Sequence, residues 1–369
     1  MNKRPKHILI SGGGTGGHIF PALAIADGLR ERIPDALILF VGAKGRMEMH
    51  RVPEAGYPIE GLWISGIQRS LSLSNLAFPV KLASSLFNAK RIIRKFKPDL
   101  AVGVGGYASG PLLWAASQAG VPSLIQEQNS YPGITNRLLA KRVQRICVAF
   151  EGMERWFAPE KIVLTGNPLR PQAIDIEGKK SEALTFFGLD ESKPVVLVTG
   201  GSQGARSINE AILAGLNELV QANLQLIWQC GESFYPIARQ AIDNQSLSGV
   251  SLMPFIKRMD LAYAAADLVV ARAGAMTLAE LAATGRPAIF VPLPTAAEDH
   301  QTSNARKLVE AGAALMVANS AAGNQLVAEI LQLTKNSEQR KTLSENIKRF
   351  ARLDATRHIV DEAMKLLKL

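Results

Sequence analysis

Short apolar runs alternate with longer amphipathic stretches in the first half of this chain. Residues 7–11 form an apolar run that ends in glycines, and a helix is predicted over 20–32. Similar runs, bounded by Gly, Pro or Asp, predict further strands over 36–42, 100–103, 123–126 and 146–149. Strands that alternate with helices indicate a mostly parallel sheet covered by helices.

The same pattern starts again in the second half. Residues 194–199 form an apolar run that leads into glycines, and a helix is predicted over 207–220. The later elements are predicted as strands over 224–230, 268–271 and 288–292 and a terminal helix over 337–369. Two halves that each open with strand, glycine loop and helix predict an α/β chain of two Rossmann-like domains, with a cleft between them. Prolines within 166–171 place the domain boundary there.

Composition narrows the class of protein. The chain has 369 residues, of which 47% are hydrophobic and 20% charged, which suits two globular domains. Its only cysteines, Cys147 and Cys230, lie far apart, which disfavours a disulfide framework or a thiolate metal site. We expect no secretory signal and no membrane span. The net charge of +10 predicts an anionic partner. The sequence has no recognisable motif that reads RNA or DNA, which disfavours nucleic acid as that partner.

Five glycines lie within the six positions 12–17, between the first predicted strand and its helix. Glycine lets the backbone turn sharply and approach a ligand, and a helix start suits a phosphate. Gly12, Gly14 and Gly17 match a dinucleotide-binding fingerprint, but the second strand ends without the acid that would hold a ribose. This disfavours an NAD enzyme. His18, at the helix entrance, is a candidate to move a proton.

Other strand ends carry similar patterns. A second glycine loop lies at 200–204, and a glycine turn at 271–275 opens a helix whose first N–H groups suit a diphosphate. Glu280, about a turn further along, is either a ribose ligand or a solvated helix residue. Polar loops also follow predicted strands at 103–111, 127–129 and 292–305. Because ligands gather at strand ends in open α/β sheets, these loops predict a large, polar, anionic ligand.

The segment 61–98 contains no acidic residue but seven basic ones, and Leu76, Val80, Ala83 and Phe87 recur in it at helical spacing. Two interpretations stay open. The segment is either an amphipathic helix packed on the sheet with a solvated basic face, or a surface that lies on anionic lipid with its apolar residues inserted.

Several motifs together resemble the MurG family of bacterial glycosyltransferases. They are Gly13-Gly14-Thr15-Gly16-Gly17-His18, Gly105-Gly106-Tyr107, Glu127-Gln128-Asn129, Gly166-Asn167-Pro168-Leu169-Arg170, Gly200-Gly201-Ser202-Gln203-Gly204-Ala205 and His300-Gln301. This family adds N-acetylglucosamine (GlcNAc) to the N-acetylmuramic acid (MurNAc) of lipid I, an undecaprenyl-diphosphate-linked pentapeptide, and so makes lipid II for peptidoglycan. The resemblance covers essentially the whole chain. It implies a GT-B fold and an inverting enzyme without metal or cofactor, bound peripherally at the cytoplasmic face of the cell membrane.

The resemblance also implies that the two domains bind different substrates. Residues 1–167, with the C-terminal helix at 350–369, would form the acceptor and membrane-facing domain, and residues 168–349 would bind UDP-GlcNAc. Glu280 would hold the ribose and the Ile256 backbone the uracil. The groups implied to meet the diphosphate are Ser202, Ala275, Met276 and Thr277, with Arg170 nearby.

The remaining implied roles concern the two sugars. The groups implied to contact GlcNAc are His300 and Gln301, with Thr15, Gly16, Gly17 and Asn129 closing over it from the first domain. The acceptor side is implied to comprise Gly14, Gly105, Gly106, Tyr107 and Glu127. Anionic phospholipid is a further expected partner, and contacts with other cell-wall synthesis proteins stay open.

The implied reaction is a single displacement at the anomeric carbon of UDP-GlcNAc by the C4 hydroxyl of MurNAc. His18 is the candidate general base, and its rival role is to bind diphosphate or donor without proton transfer. Helix N–H groups and Arg170 would stabilise charge on the leaving UDP. Two alternatives stay open: another GT-B lipid glycosyltransferase, of the diacylglycerol type, and a non-catalytic nucleotide-sugar-binding protein.

Overall fold

A computed structural model describes residues 4–66, 77–201, 203–245 and 247–369. The chain divides into two compact units, Met1–Leu169 with Arg352–Leu369, and Arg170–Ala351. Each unit contains one parallel sheet with helices between its strands.

The first unit is built on seven described strands. They are β1 (His7–Ser11), β2 (Leu37–Ala43), β3 (Ile59–Leu62), β4 (Leu100–Gly103), β5 (Ser123–Glu127), β6 (Arg145–Val148) and β7 (Ile162–Leu164). Their order in the sheet is β3-β2-β1-β4-β5-β6-β7, and all neighbours are parallel. The connecting helices are α1 (Gly16–Arg32), α2 (Glu48–Glu54), α3 (Phe78–Phe96), α4 (Ser109–Gln118) and α5 (Ile134–Leu139).

The second unit repeats this topology with six described strands. They are β8 (Val195–Thr199), β9 (Gln225–Gln229), β10 (Val250–Met253), β11 (Leu268–Ala271), β12 (Ala288–Phe290) and β13 (Leu315–Met316), in the order β10-β9-β8-β11-β12-β13. Its helices are α6 (Pro171–Ile174), α7 (Lys180–Phe187), α8 (Arg206–Ala214), α9 (Leu216–Gln221), α10 (Tyr235–Asn244), α11 (Met259–Ala265), α12 (Ala275–Thr284), α13 (His300–Glu310), α14 (Ala322–Lys335) and α15 (Ser337–Lys348). The last helix, α16 (Ala355–Leu367), belongs to the first unit.

These two sheets confirm the predicted α/β class with two Rossmann-like domains, because both follow the strand order 3-2-1-4-5 of that fold. The central strands are buried on both faces. Ile8 and Ile10 of β1 pack into one hydrophobic cluster, while Leu9 packs into the cluster on the opposite face. A strand that is covered on both faces is apolar at successive positions, so the apolar run at 7–11 predicts β1 from sequence.

Three predicted helices were wrong in extent. The first begins at Gly16 rather than at residue 20, because the Thr15 carbonyl already accepts the N–H groups of His18 and Ile19. The helix predicted over 207–220 is broken at Gly215, where a Cβ atom would lie 2.5 Å from a methyl group of Val327.

The predicted terminal helix is likewise two helices, α15 and α16. They belong to different units, so the chain has to leave the helical path between them. Within the first unit, α16 packs on α1, where Gly28 lies against Thr356 and Val360.

Candidate functional site

The first glycine loop connects β1 to α1 and packs closely against the loop that follows β4. Gly14 has a φ of +88° and Gly106 a φ of +87°, both in the left-handed region that favours glycine. A Cβ atom on Gly106 would lie 2.4 Å from the Gly13 carbonyl oxygen. The structure therefore brings together two glycine loops that contain Gly14, Gly105 and Gly106, for which the resemblance implies a role on the acceptor side.

The first turn of α1 holds the His18 ring against both loops. His18 Nδ1 lies 3.1 Å from the Gly13 carbonyl oxygen and 3.5 Å from Thr15 Oγ1. A carbonyl oxygen only accepts, so Nδ1 is the donor in that hydrogen bond and the neutral ring has its lone pair on Nε2. A Cβ atom on Gly105 would lie 2.8 Å from Nε2. The basic nitrogen of His18 thus lies over the glycine backbone of the second loop.

Behind the first loop lies a carboxylate that the sequence pattern does not predict. Glu48, on α2, is only 1% exposed. Its two oxygens accept the backbone N–H groups of Ala43 and Gly14, each over 2.9 Å. The second strand is thus followed by an acidic residue. Its two oxygens already accept backbone N–H groups, so Glu48 does not have the position of the ribose ligand in a dinucleotide-binding fold.

Glu127 orders the loop that carries Asn129. One of its oxygens accepts the backbone and side-chain N–H groups of Asn129, over 3.0 and 3.2 Å, and the other accepts Gly133 N–H and the Asn136 amide. Burial raises the pKa of Glu127 above its usual value, and these hydrogen bonds oppose that rise. The buried carboxylate therefore positions Asn129.

Buried amides join this loop to its neighbours. Gln128 donates to the Val104 carbonyl over 2.7 Å, and Asn167 donates to the Gln128 carbonyl over 3.1 Å. Tyr107, which is about half exposed, lies so close to Gly66 that a Cβ atom there would meet its ring. The loops after β4, β5 and β7 are thus held in one arrangement at the carboxyl end of the first sheet.

In the second unit, Gln229 joins the second glycine loop to the segment that carries Ile256. Its side-chain amide donates to the Gly201 carbonyl over 2.7 Å, and its oxygen accepts the Ile256 N–H over 3.4 Å. Gln229 is buried at the end of β9, a position that the sequence pattern did not single out. Ser202, predicted in the same loop, lies outside the described residues.

The helix start at Ala275 is confirmed. The N-cap of α12 is Gly274, so this residue has no side chain to compete for the first-turn N–H groups of Ala275, Met276 and Thr277. Just before it, Arg272 donates to the carbonyls of Val291 and Pro292, to Asn319 and to Ser207. This arginine, which the sequence pattern also does not predict, connects the glycine turn to its neighbours.

Glu280 lies on α12 in a partly buried position. Its Oε2 accepts the Tyr263 hydroxyl over 2.8 Å. Burial raises the pKa of Glu280, while the Tyr263 hydrogen bond and the positive charge of Arg170 oppose that rise. The implied ribose ligand, Glu280, and the implied diphosphate neighbour, Arg170, therefore lie near each other.

The loop that leads into α13 has a strained backbone. Glu298 and Asp299 have φ values of +55° and +52°, although neither is glycine. Residues held in this region cost about 1–3 kcal/mol each and cluster at functional sites. His300 and Gln301 follow directly, and Gln301 Oε1 accepts the Leu293 N–H over 2.9 Å.

Exposed apolar side chains on α3 and α5 form a further feature, here called the α3–α5 surface. Val80 and Phe87 on α3 are 61% and 70% exposed, and Ile134 and Leu138 on α5 are 59% and 72% exposed. Trp114 lies on α4, between these helices. The centroid of its ring is 5.3 Å from Lys90 Nζ and 5.9 Å from the Arg142 guanidinium carbon. Of the predicted acid-free segment, Arg69 and Leu76 lie outside the described residues.

The α5 part of this surface was missed, although its signal is in the sequence. Ile134 and Leu138 are four positions apart, and Lys141 and Arg142 follow them. Among the described helices, none is both long and apolar enough to cross a bilayer.

Comparison with known proteins covers nearly the whole chain. The model of the glycosyltransferase family 28 N-terminal domain matches residues 8–148, and that of the C-terminal domain matches 195–359. Two relatives share the description UDP-N-acetylglucosamine--N-acetylmuramyl-(pentapeptide) pyrophosphoryl-undecaprenol N-acetylglucosamine transferase. The Cytophaga hutchinsonii protein is 52% identical, covering 99% of this chain and 98% of its own, and the Parabacteroides distasonis protein is 51% identical, covering 99% of both.

A solved structure agrees with these matches. The crystal structure of Acinetobacter baumannii MurG is similar with a TM-score of 0.79 and 31% identity, covering 98% of this chain and all of that one. The chain therefore belongs to glycosyltransferase family 28 and, within it, to the MurG family of N-acetylglucosamine transferases.

Proposed function

We propose that this chain transfers GlcNAc from UDP-GlcNAc to the C4 hydroxyl of MurNAc in lipid I, giving lipid II. The observation that carries the proposal is the identity of about half of all residues, over nearly full length, with relatives named for this transfer. The MurG structure that it resembles supports the same activity.

The second unit holds the donor in this proposal. Glu280, which is held by a hydrogen bond from Tyr263, accepts hydrogen bonds from the ribose hydroxyls. The Ile256 backbone forms hydrogen bonds with uracil. The Ile256 N–H already donates to Gln229 over a long 3.4 Å, so uracil either shares or replaces that bond. The first turn of α12 and Arg170 bind the diphosphate.

The GlcNAc ring is held by donors from the same unit. The oxygen of Gln301 is bonded to Leu293 N–H, so its amide group donates to a sugar hydroxyl. His300, beside it at the start of α13, contacts the same ring. The strained backbone of Glu298 and Asp299 directly precedes both residues, as expected of a loop built for binding.

The first unit supplies the acceptor side. His18 Nε2 removes the proton from the C4 hydroxyl as that oxygen attacks the anomeric carbon, and the α linkage inverts to β. The negative charge that develops on UDP is stabilised by Arg170 and by the N–H groups of α12, without a metal ion. Asn129, ordered by Glu127, contributes to the sugar site.

A transfer assay tests the function. Incubation with UDP-GlcNAc and a soluble lipid I analogue is expected to release UDP and to form a β-linked disaccharide, identified by NMR of the product. Diacylglycerol in place of the analogue is expected to give no product. UDP release with diacylglycerol alone would favour the other lipid glycosyltransferase, and donor binding without release in either reaction would favour a non-catalytic binding protein.

The α3–α5 surface is proposed to hold the enzyme on the cytoplasmic face of the membrane, where its lipid-linked acceptor lies. Exposed apolar side chains next to basic ones insert at the headgroup level and attract anionic lipid. The sequence left a solvated basic face as the alternative for this segment. The exposure of Val80 and Phe87 favours the membrane interpretation.

A vesicle-binding measurement checks this surface. Replacing Phe87 and Leu138 together by serine removes two inserting side chains, each worth roughly 1–2 kcal/mol, so partition onto phosphatidylglycerol-containing vesicles is expected to fall by about 30-fold or more. Turnover of the soluble analogue should stay unchanged. Phe186→Ser is the matched control, because Phe186 is an exposed phenylalanine of the second unit. Equal binding by the double variant and the control would contradict the proposed surface.

A further inference from the structure

The peptide group between Gly13 and Gly14 is hydrogen bonded at both of its ends. Its N–H donates to Glu48 Oε2 over 2.9 Å, and its carbonyl oxygen accepts from His18 Nδ1 over 3.1 Å. A single peptide group therefore connects a buried carboxylate to the imidazole ring.

We infer that Glu48 is a positioning residue that raises the basicity of His18 through this peptide group. The inference rests on the proposed role of His18 as the general base. An amide whose N–H is bonded to an anion becomes more polarised, and its carbonyl becomes a stronger acceptor, because hydrogen bonds in a chain reinforce one another. The carbonyl then better stabilises the N–H of a positively charged imidazolium.

The proton balance of this arrangement is simple. The hydroxyl proton of the acceptor moves to His18 Nε2, the ring becomes positively charged, and the hydrogen on Nδ1 stays there. Glu48 takes up no proton. It acts by its negative charge and by fixing the orientation of the ring, as carboxylates do behind other catalytic or metal-bound histidines.

The surroundings of Glu48 are built for a carboxylate at this place. A Cβ atom on Gly13 would lie 2.2 Å from Oε1, and one on Gly42 would lie 2.5 Å from Cγ of Glu48. Two glycines thus leave the space that the side chain fills. Both oxygens accept backbone N–H groups, which is the bonding that an ionised, acceptor-only carboxylate prefers.

The other elements that pack on α1 also carry charged or titratable side chains. Those on α2 are His50, Arg51 and Glu54, of which the last two pair with each other. On β1 there is His7, and the loop after β4 carries Tyr107. Those on α16 are Arg357, His358, Asp361, Glu362 and Lys365. The contact between α16 and α1 at Gly28 is ten residues, about 15 Å, along the helix from His18.

Glu48→Gln tests the inference, because it keeps the shape of the side chain and removes its charge. The pKa of His18, read from its imidazole resonances by NMR and assigned with His18→Ala, is expected to fall by about half a pH unit or more. Turnover should fall by roughly 10-fold, as for other residues that act through a functional histidine, and the acidic limb of the pH–rate profile should move to lower pH. The Kd for UDP-GlcNAc should stay within about twofold.

Glu362→Gln is the matched control. Glu362 is a buried carboxylate of the same unit, but its partners are Lys365 on α16 and Arg145, the first residue of β6. Because the sheet is parallel, Arg145 lies at the edge opposite to the carboxyl end of β1, where the glycine loop begins. This change is expected to leave both the pKa of His18 and turnover as they are.

A measurement on the unaltered protein covers the case in which Glu48→Gln does not fold. As His18 titrates, the Gly14 amide and the Glu48 carboxyl carbon should shift with the midpoint of the His18 ring. Flat resonances of both groups through that midpoint, or an unchanged His18 pKa in a folded Glu48→Gln variant, would overturn the inference. The general-base proposal is tested separately, because it fails only if His18→Ala retains turnover.

Discussion

Replacing His18 by alanine is expected to lower turnover with the lipid I analogue by about 1,000-fold, within the range that general bases contribute. The reason lies in the geometry of the ring. Its Nδ1 is committed to the Gly13 carbonyl, so Nε2 is the nitrogen that can take the hydroxyl proton. The Kd for UDP-GlcNAc should change by less than about threefold, because the proposed donor contacts lie mostly in the second unit.

The measurement combines steady-state turnover with calorimetric donor binding. His50→Ala is the matched control, because His50 is an exposed histidine on α2 of the same unit and should leave both quantities unchanged. A large loss of donor affinity together with residual turnover would instead support the rival role, in which His18 binds donor or diphosphate without moving a proton.

The sequence predicts the glycine loops well because their signals are local. An apolar strand, a run of glycines and a helix are contiguous along the chain, so the loops after β1, β8 and β11 can be placed from pattern alone. The same holds for the basic, apolar segment of α3. Such features need no knowledge of which parts of the chain meet in space.

The contacts that organise the loops are not local, and here prediction stops. Glu48 reaches a glycine 34 positions away, and Arg272 reaches an asparagine 47 positions away. The sequence around Glu48 has the composition of an ordinary helix, so its burial follows only from the packing of α2 against β2 and the first glycine loop. The left-handed backbone of Glu298 and Asp299 is equally invisible, since neither residue is a glycine that would signal it.

Tertiary packing also decides where individual helices begin and end. Helix propensity disfavours glycine, which delays the predicted start of α1, yet tertiary packing and the Thr15 carbonyl begin the helix at Gly16. At Gly215 the backbone leaves the helical conformation (φ −99°, ψ 11°), and Val327 fills the space that a side chain would need, so the position requires a glycine. Propensity and packing therefore have to be weighed together, and only the structure supplies the second.

Glu280→Gln is expected to raise the Kd for UDP-GlcNAc by roughly 10- to 100-fold, since hydrogen bonds to a charged group contribute about 1.5–3 kcal/mol. The carboxylate is already aligned by Tyr263, so little ordering is needed when the ribose binds. Glu218→Gln, an exposed carboxylate on α9, is the matched control and should bind the donor normally.

A thermodynamic cycle shows whether the loss belongs to the ribose contact. Removing the 2′-hydroxyl from the donor should weaken binding to the parent protein but weaken it much less in Glu280→Gln, because the shared hydrogen bond can be lost only once. Equal losses in both proteins would place the ribose elsewhere and leave Glu280 as a structural partner of Tyr263.

The pH dependence gives an independent reading of the same contact. Ribose hydroxyls bind the ionised form of Glu280, and burial raises the pKa of this carboxyl above its usual value. Donor affinity is therefore present above that pKa and is lost as the pH falls through it, at a higher pH than an exposed glutamate would require. In Glu280→Gln no proton competes with the ribose at this position, so this limb of the Kd profile should disappear. An acidic limb that persists unchanged in the variant would assign the titration to another group.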